Sequence, residues 1–316
     1  MKQYNKLHKS FVSILMMFGL MIPVSCEYKD FIEENPYNRI PVQISFDWQN
    51  VDSIPTKMQV MFYPEDTGGY QRFDIGNTTT TVNVLPGQYH ITAWNNDATH
   101  VYFNGYDNRL NINATTPAYN TQNSQGIQNL LDSLFNGQQV LDYPDYMVHA
   151  NKLSVGVGKN NPKEIVLTPD SMVVTVEMNL GGIAGLELVK GIKGALSNVA
   201  GRRYMAYDNK ATDPTTVLFE ARGNATDSTV TARFWVFGLE PEELAETDHK
   251  AAVFFWTDRG NVFLELDIKK FIDENEDKNK LVITMPDLDI DIRDFIDSGW
   301  NIFIDDWNNE DHPIGF

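Results

Sequence analysis

The chain has 316 residues, with 43 acidic against 25 basic side chains for a formal net charge of −18, and a single cysteine. That balance sets aside a nucleic-acid partner, which needs basic surface, and it repels anionic lipid headgroups. One cysteine rules out an intramolecular disulfide, so the fold rests on packing, for which aromatics at 12% of residues supply ample apolar area.

In chain order, the first element is a basic stretch, "MKQYNKLHKS", carrying Lys2, Lys6 and Lys9 and no acid. An apolar run, "FVSILMMFGLMI", follows at residues 11–22. This layout reads as a secretory signal peptide over residues 1–25. Twelve helical residues rise about 18 Å, short of a bilayer core of roughly 30 Å, so a permanent membrane span is the weaker reading. Pro23-Val24-Ser25-Cys26 resembles a bacterial lipoprotein lipobox, with Pro23 where Leu is preferred. The resemblance implies that Cys26 is acylated and becomes the mature N-terminus. A catalytic thiol so close to an exported terminus would lack a pocket to lower its pKa, whereas acyl chains hold a protein at a bilayer by about 0.8 kcal/mol per methylene. Residues 26–40, with Glu27, Asp30, Glu33 and Glu34, form an acidic tether. It looks like the export tether of surface-exposed lipoproteins in Bacteroidetes-type bacteria; a plain solvated linker is the alternative. The expected location is the outer membrane, lipid-anchored and facing the cell surface, with a periplasm-facing orientation as the alternative.

Period-two alternation dominates the rest. In "VQISFDW", Val42, Ile44, Phe46 and Trp48 share a face; "MQVMFYP" offers Met58, Val60 and Phe62 before Pro64 ends the strand. "TTVNVLPGQYHITAW" reads as two strands around a Pro86-Gly87 turn, with Tyr89, Ile91 and Ala93 on one face and His90, Thr92 and Trp94 on the other. "VYF" is a short strand. Within residues 114–139, "SQGIQNLLDSLFNG" spaces Ile127, Leu130, Leu131 and Leu134 as a short amphipathic helix, with Ser124 as cap and Gly137 as stop. After "GVGKNNPKE", the segments "EIVLT", "SMVVTVEMNL", "TTVLFEA", "STVTARFWVFGL", "AAVFFWT", "NVFLELDI", "LVITM" and "WNIFID" read as further strands. "GGIAGLELVKGIKGALSNVAG" reads as irregular connections around short strands. The fold class is therefore all-β: two tandem β-sandwiches, residues 41–160 and 161–316, with a short helix in the first.

Chemistry is sparse. No HExxH, GxSxG or GxxxxGK[ST] occurs, and "GVGKNN" lacks the upstream glycine and the strand–loop–helix setting of a phosphate loop. His90 and His100 flank one loop and would need it to fold back to share a metal; two separate strand-end histidines are the simpler reading. Asp273, Asn275 and Asp277 alternate as a calcium loop begins, but Lys278 stands at the glycine position and Thr284 at that of the bidentate Glu. Asp305, Asp306, Glu310 and Asp311 read as a solvated acidic rim. Nothing selects a glycosidase carboxylate pair among 43 acids. Trp48, Trp94 and Trp307 could stack on sugars, although tryptophan in alternating strands is more often core. Four triplets, at Asp52-Ser53-Ile54, Asp132-Ser133-Leu134, Asp170-Ser171-Met172 and Asp227-Ser228-Thr229, look like bacterial O-glycosylation acceptors and also arise readily by chance in an Asp-rich chain.

The segments "VQISFDW", "PTKMQVMFYP", "LPGQYHITAWNND", "DYMVHANKLSVGV" and "VTVEMNLGGIAGLELVKGIKGALSNVAG" resemble an uncharacterised, domain-of-unknown-function lipoprotein family of Bacteroidales, similar to fimbrillin-like proteins and fimbrial anchor lipoproteins. The resemblance implies two transthyretin-like (Ig-like) sandwiches and partner contact by adding a strand to a sheet edge; it supplies no catalytic residues. The expectation is a non-enzymatic adhesion or fimbria-associated lipoprotein with no cofactor and no metal. Its partners would be the membrane through Cys26 and a protein such as a fimbrial subunit. The alternative is a carbohydrate-binding lipoprotein of a nutrient-capture system.

Overall fold

The computed structural model describes residues 38–304, apart from 67, 120–134, 136, 161–163, 208–209, 240–248, 297–300 and the side chains of 301–304. The signal peptide expected at 1–25, Cys26, the expected tether as far as residue 37, the helix expected at 124–137 (Phe135 and Gly137 excepted), the Asp132-Ser133 pair, Trp307 and its acidic neighbours lie outside the described residues.

The first half contains β1 (Ile40–Phe46), β2 (Lys57–Pro64), β3 (Gln71–Gly76), β4 (Thr80–Val84), β5 (Gly87–Asn95), β6 (Tyr102–Asn104), β7 (Asn113–Thr115), β8 (Val140–Asp142), β9 (Val148–Val157), β10 (Glu164–Leu167) and β11 (Asp170–Ser171). One sheet runs β10-β1-β4 and the facing sheet β11-β9-β5-β2-β3. The Pro86-Gly87 turn joins β4 to β5 across the two sheets rather than within one. Alternation puts Val42 and Ile44 of β1 against Val60, Phe62, Tyr89 and Ile91. Phe62 meets Phe73 and Tyr89 edge-on, with centroids 5.7 and 5.6 Å apart.

The second half contains β12 (Val174–Leu180), β13 (Ile183–Ala184), β14 (Val189–Tyr204), β15 (Ala211–Glu220), β16 (Arg222–Asn224), β17 (Thr229–Val236), β18 (Lys250–Thr257), β19 (Asn261–Asp267), β20 (Lys280–Met285), β21 (Ile290–Asp291) and β22 (Asn301–Ile304), with the short helices α1 (Lys269–Asp273) and α2 (Arg293–Ile296). Its sheets run β16-β17-β12-β20 and β22-β19-β18-β14-β15-β8. Phe219 and Phe234 stack across the core at 3.9 Å with planes 6° apart. The protein is thus all-β, two sandwiches deep, as the alternation requires.

One sequence expectation gives way. The glycine-rich segment forms β14, a 16-residue strand at the centre of the larger sheet, rather than irregular connections. A Cβ at Gly194 would lie 2.0 Å from the Phe219 ring, so glycine there makes room for the stacked phenylalanines. A bulge between Leu196 and Val199, with Asn198 at φ 58°, lets the long strand bend. Strand pairing also crosses between the two halves in both directions. β10 pairs in parallel with β1, and β11 pairs antiparallel with β9, so both complete sheets of the first sandwich. In the other direction, β7 pairs with the end of β14, through Asn113 and Tyr204, and β8 pairs with β15, through Leu141 and Val217. Periodicity reveals strands but not which sheet completes its ladder with them.

These crossings serve a third core. Met61 and Tyr63 of β2 and Trp94 of β5 point away from the first sandwich's interior, yet all are buried. They pack with Ile112, Ala114, Met147, Met172, Ala200, Met205 and Phe237, drawn from both halves. Each large side chain so buried contributes on the order of 2 kcal/mol, so the two sandwiches are joined by a packed layer as dry as their own interiors.

Candidate functional site

The residues singled out by sequence are scattered. Ser154 N–H donates to His90 Nδ1 at 3.3 Å, and Glu65 lies 3.6 Å from the same nitrogen. His100 Nδ1 instead sits 3.3 Å from Asp145 Oδ1. Asp273 pairs with Lys269 at 2.7 Å, and Asn275 Nδ2 donates to the Asp277 carbonyl at 2.6 Å, so these groups serve α1 and the turn after it. Among the described residues no group of three or more His, Cys, Asp or Glu could hold a metal ion. Trp94 is fully buried, and Trp48 donates from Nε1 to the Asn77 carbonyl while leaning on Phe46 at 5.0 Å. Neither offers a sugar platform. Of the Asp-Ser triplets, Ser53 is exposed, Ser171 donates to the Val173 carbonyl, and Ser228 occupies a turn at φ 52°.

What the fold does assemble is a sheet edge. β20 pairs with β12 alone among the described strands. The Asn279 and Met285 carbonyls accept from Thr175 N–H and Gly181 N–H, at 2.8 and 2.7 Å. In a parallel strand alternate residues turn both backbone groups to one side. Asn279, Leu281, Ile283 and Met285 therefore face β12, and Lys280, Val282 and Thr284 turn their N–H and C=O groups outward. Leu281, Ile283 and Met285 anchor the strand in the core, while Val282 is 43% exposed. No charge interrupts Leu281–Met285. Natural edges are commonly blunted by charges, proline or a bulge, and β3, the edge of a first-sandwich sheet, carries Arg72 and Asp74 on its outer face, 3.2 Å apart. Sequence marks "LVITM" as a strand, but only the topology makes it an edge.

A groove of about 490 Å³ opens beside this sheet, lined by Tyr143, Glu177, Asn179, Glu220, Arg222 and Arg233. Its carboxylates are engaged: Glu177 with Lys280 at 2.8 Å and Arg233 at 3.7 Å, Glu220 with Lys193 at 3.0 Å. The groove can exchange hydrogen bonds with a polar ligand, and it presents no nucleophile beside a free base.

Fold and edge together define an all-β protein of two fused sandwiches in which β20, among the described strands, is paired on one side only. Solved structures align with this chain. A proposed adhesin of Bacteroides ovatus aligns with a TM-score of 0.61 at 20% identity, over 81% of this chain and 93% of that one. A proposed polysaccharide-binding protein (DUF1812) of Bacteroides thetaiotaomicron aligns at 0.51 and 9% identity, over 79% and 93%. The fimbrial anchor protein Mfa2 of Porphyromonas gingivalis gives 0.46 and 14%, over 77% and 89%. No curated protein matches the chain. The chain belongs to the family described as Domain of unknown function (DUF5119), which matches residues 25–220, more than half its length.

The loop after β5 is pinned by Asp145. Burial pushes this carboxyl up, but the backbone N–H groups of His100 and Thr99 and the His100 ring outweigh it and hold it below the usual carboxylate range. A carboxylate whose pKa is depressed on folding stabilises the fold above its unfolded value, near 3.9, and loses that contribution as pH falls through the lower folded value. Asp145→Asn is therefore expected to cost about 1–2 kcal/mol at pH 7, and the gap to the parent should close as pH drops below about 4. Urea unfolding at several pH values measures this; a gap independent of pH would contradict it.

Proposed function

We propose that the protein is a non-enzymatic adhesion or fimbria-associated lipoprotein that captures a protein partner by strand addition at β20. The observation that carries the reading is the outward-facing N–H and C=O groups of Lys280, Val282 and Thr284 on an edge that carries no charge after Lys280. A partner strand would complete this ladder, with main-chain bonds giving affinity and the exposed Val282 and Thr284 side chains giving register. The proposed adhesin of B. ovatus, whose fold this chain shares, supports the adhesion role. The fimbrial subunit as partner rests on the sequence resemblance. Acylation of Cys26 would place the molecule at the outer membrane, and an acidic tether facing outward would hold it on the cell surface. Glycan capture is the second reading, favoured by the polar groove between Glu177 and Arg222 and by the fold shared with the proposed polysaccharide-binding protein.

A benzophenone side chain introduced at Thr284 in the native host tests the main reading. It should crosslink to an envelope protein, and adding Val282→Pro should abolish the adduct with only a small change in melting temperature, because proline there removes an outward N–H and spares the ladder to β12. An adduct that survives Val282→Pro, or none at all, contradicts strand addition at β20. The anchor is tested separately by intact mass of the envelope-derived protein: the reading requires residues 1–25 to be absent and acyl mass on Cys26, and an unmodified cysteine behind an intact leader contradicts it.

A further inference from the structure

The edge of β20 is a short apolar and hydroxylic window between two acidic banks. Lys280 is the one charged residue of the strand, and its Nζ reaches back to Glu177 of β12 at 2.8 Å, so its charge is met on the face of the sheet rather than displayed along the edge. Leu281, Ile283 and Met285 are buried on the core side, while Val282 and Thr284 are exposed on the other. Just before the strand, Glu274, Glu276 and Asp277 are all exposed, with Lys278 as the single cation among them. Just after it come Asp287 and Asp289, also exposed. Asp273 is paired with Lys269, but among the described residues these later carboxylates form no ion pair. The Asp277 carboxylate accepts from Asn279 N–H at 2.8 Å, which shapes the turn into β20 and leaves its charge in place.

Backbone pairing by itself is nearly indifferent to sequence, so the open ladder of β20 would accept many extended segments. The two banks discriminate among them. Exposed charges act over a Debye length of about 10 Å at 0.1 M salt, which covers the ends of any strand laid along β20. An acid-ended strand would set like charges beside Glu276 and Asp287. A strand ending in lysine or arginine meets opposite charge at both ends, which speeds encounter and selects the partner. A second copy of this chain is disfavoured on the same ground. Antiparallel pairing of β20 with its own copy about Val282 would bring the Asp287 end of each molecule against the Asp277 end of the other, between bodies that each carry a net charge of −18.

We propose that β20 takes a basic-flanked strand, a segment of a partner protein with a short uncharged, β-prone centre bordered on each side by lysine or arginine. The centre pairs with the outward N–H and C=O groups of Lys280, Val282 and Thr284, and its β-branched side chains pack beside Val282. The flanking cations lie against Glu274, Glu276 and Asp277 at one end and Asp287 and Asp289 at the other. Since both banks are acidic, the charge pattern admits parallel and antiparallel entry alike. The inference rests on the strand-addition reading and adds to it the chemistry of the partner.

Isothermal titration calorimetry of the full chain with three end-blocked peptides tests it. The first alternates threonine and valine with Lys-Arg at each end, and the second has the same centre with Gln-Asn at each end. The third keeps the Lys-Arg ends around a glycine–proline centre that cannot form a strand. The first should bind saturably at low salt, about tenfold or more tightly than either of the others, and should lose most of that advantage at about 0.5 M salt. Neutralising the banks together (Glu274→Gln, Glu276→Gln, Asp287→Asn and Asp289→Asn) should weaken the first peptide about tenfold and leave the second unchanged. The melting temperature should stay near that of the parent, because these side chains are exposed and asparagine tolerates the φ of 50° at position 289. Val282→Pro should abolish binding of both strand-forming peptides. Equal affinity for the first two peptides, with both lost in Val282→Pro, would overturn the basic-flank inference and leave strand addition standing. Binding of the first peptide that survives Val282→Pro, or that the glycine–proline peptide matches, would overturn it as mere adhesion to negative charge. Absence of binding by the first peptide would overturn it too, and the Thr284 crosslink in the host then judges strand addition separately.

Discussion

Covering the outer face of β2 and β5 decides how this molecule is put together. A sheet with one wet face would have left Met61, Tyr63 and Trp94 in water. Here they are buried under Ala200, Met205, Ala211 and Phe237 of the second half. That burial requires the end of β14 and the start of β15 to reach over the first sandwich, which explains why β14 runs to 16 residues. It also explains why β6, β7 and β8 pair with the second sandwich's sheet instead of their own. A linker between independent modules would give none of these crossings.

The candidate binding features, the β20 edge and the groove beside Glu177 and Arg222, both lie on the second half. The β20 edge belongs to the sheet β16-β17-β12-β20, which packs on the opposite side of the second sandwich's core from β14. One body thus carries a strand edge and a polar groove. Neither feature resembles a reaction centre: the groove carboxylates are paired with lysine and arginine, and the histidines lie apart.

Much of the fold was legible in the sequence because side-chain alternation reports directly on a half-buried strand. Val42 and Ile44, Met58, Val60 and Phe62, and the strands from "SMVVTVEMNL" to "WNIFID" all emerge where the alternation puts them. Alternation fails where both faces of a strand are buried. Met61 and Trp94 fit the second face of their strands, but nothing local says that another sheet covers that face. It fails again at β14, where Gly191, Gly194 and Gly201 erase the apolar pattern because their absent side chains make room for neighbours such as Phe219. The candidate sites were less legible still. "LVITM" carries a faint signal, an uncharged strand, but whether it lies at an edge or in the middle of a sheet depends on partners that sequence spacing does not reveal.

The account stands on the two sandwiches being one cooperative body. Hydrogen exchange measured by mass spectrometry across a urea series tests this directly, by comparing amides of β5 with amides of β18, strands on either side of the junction core. The account predicts that both lose protection together, in a single transition with one midpoint and one slope. Loss of protection in β5 at a urea concentration where β18 remains fully protected would contradict it, and would return the molecule to two modules on a string.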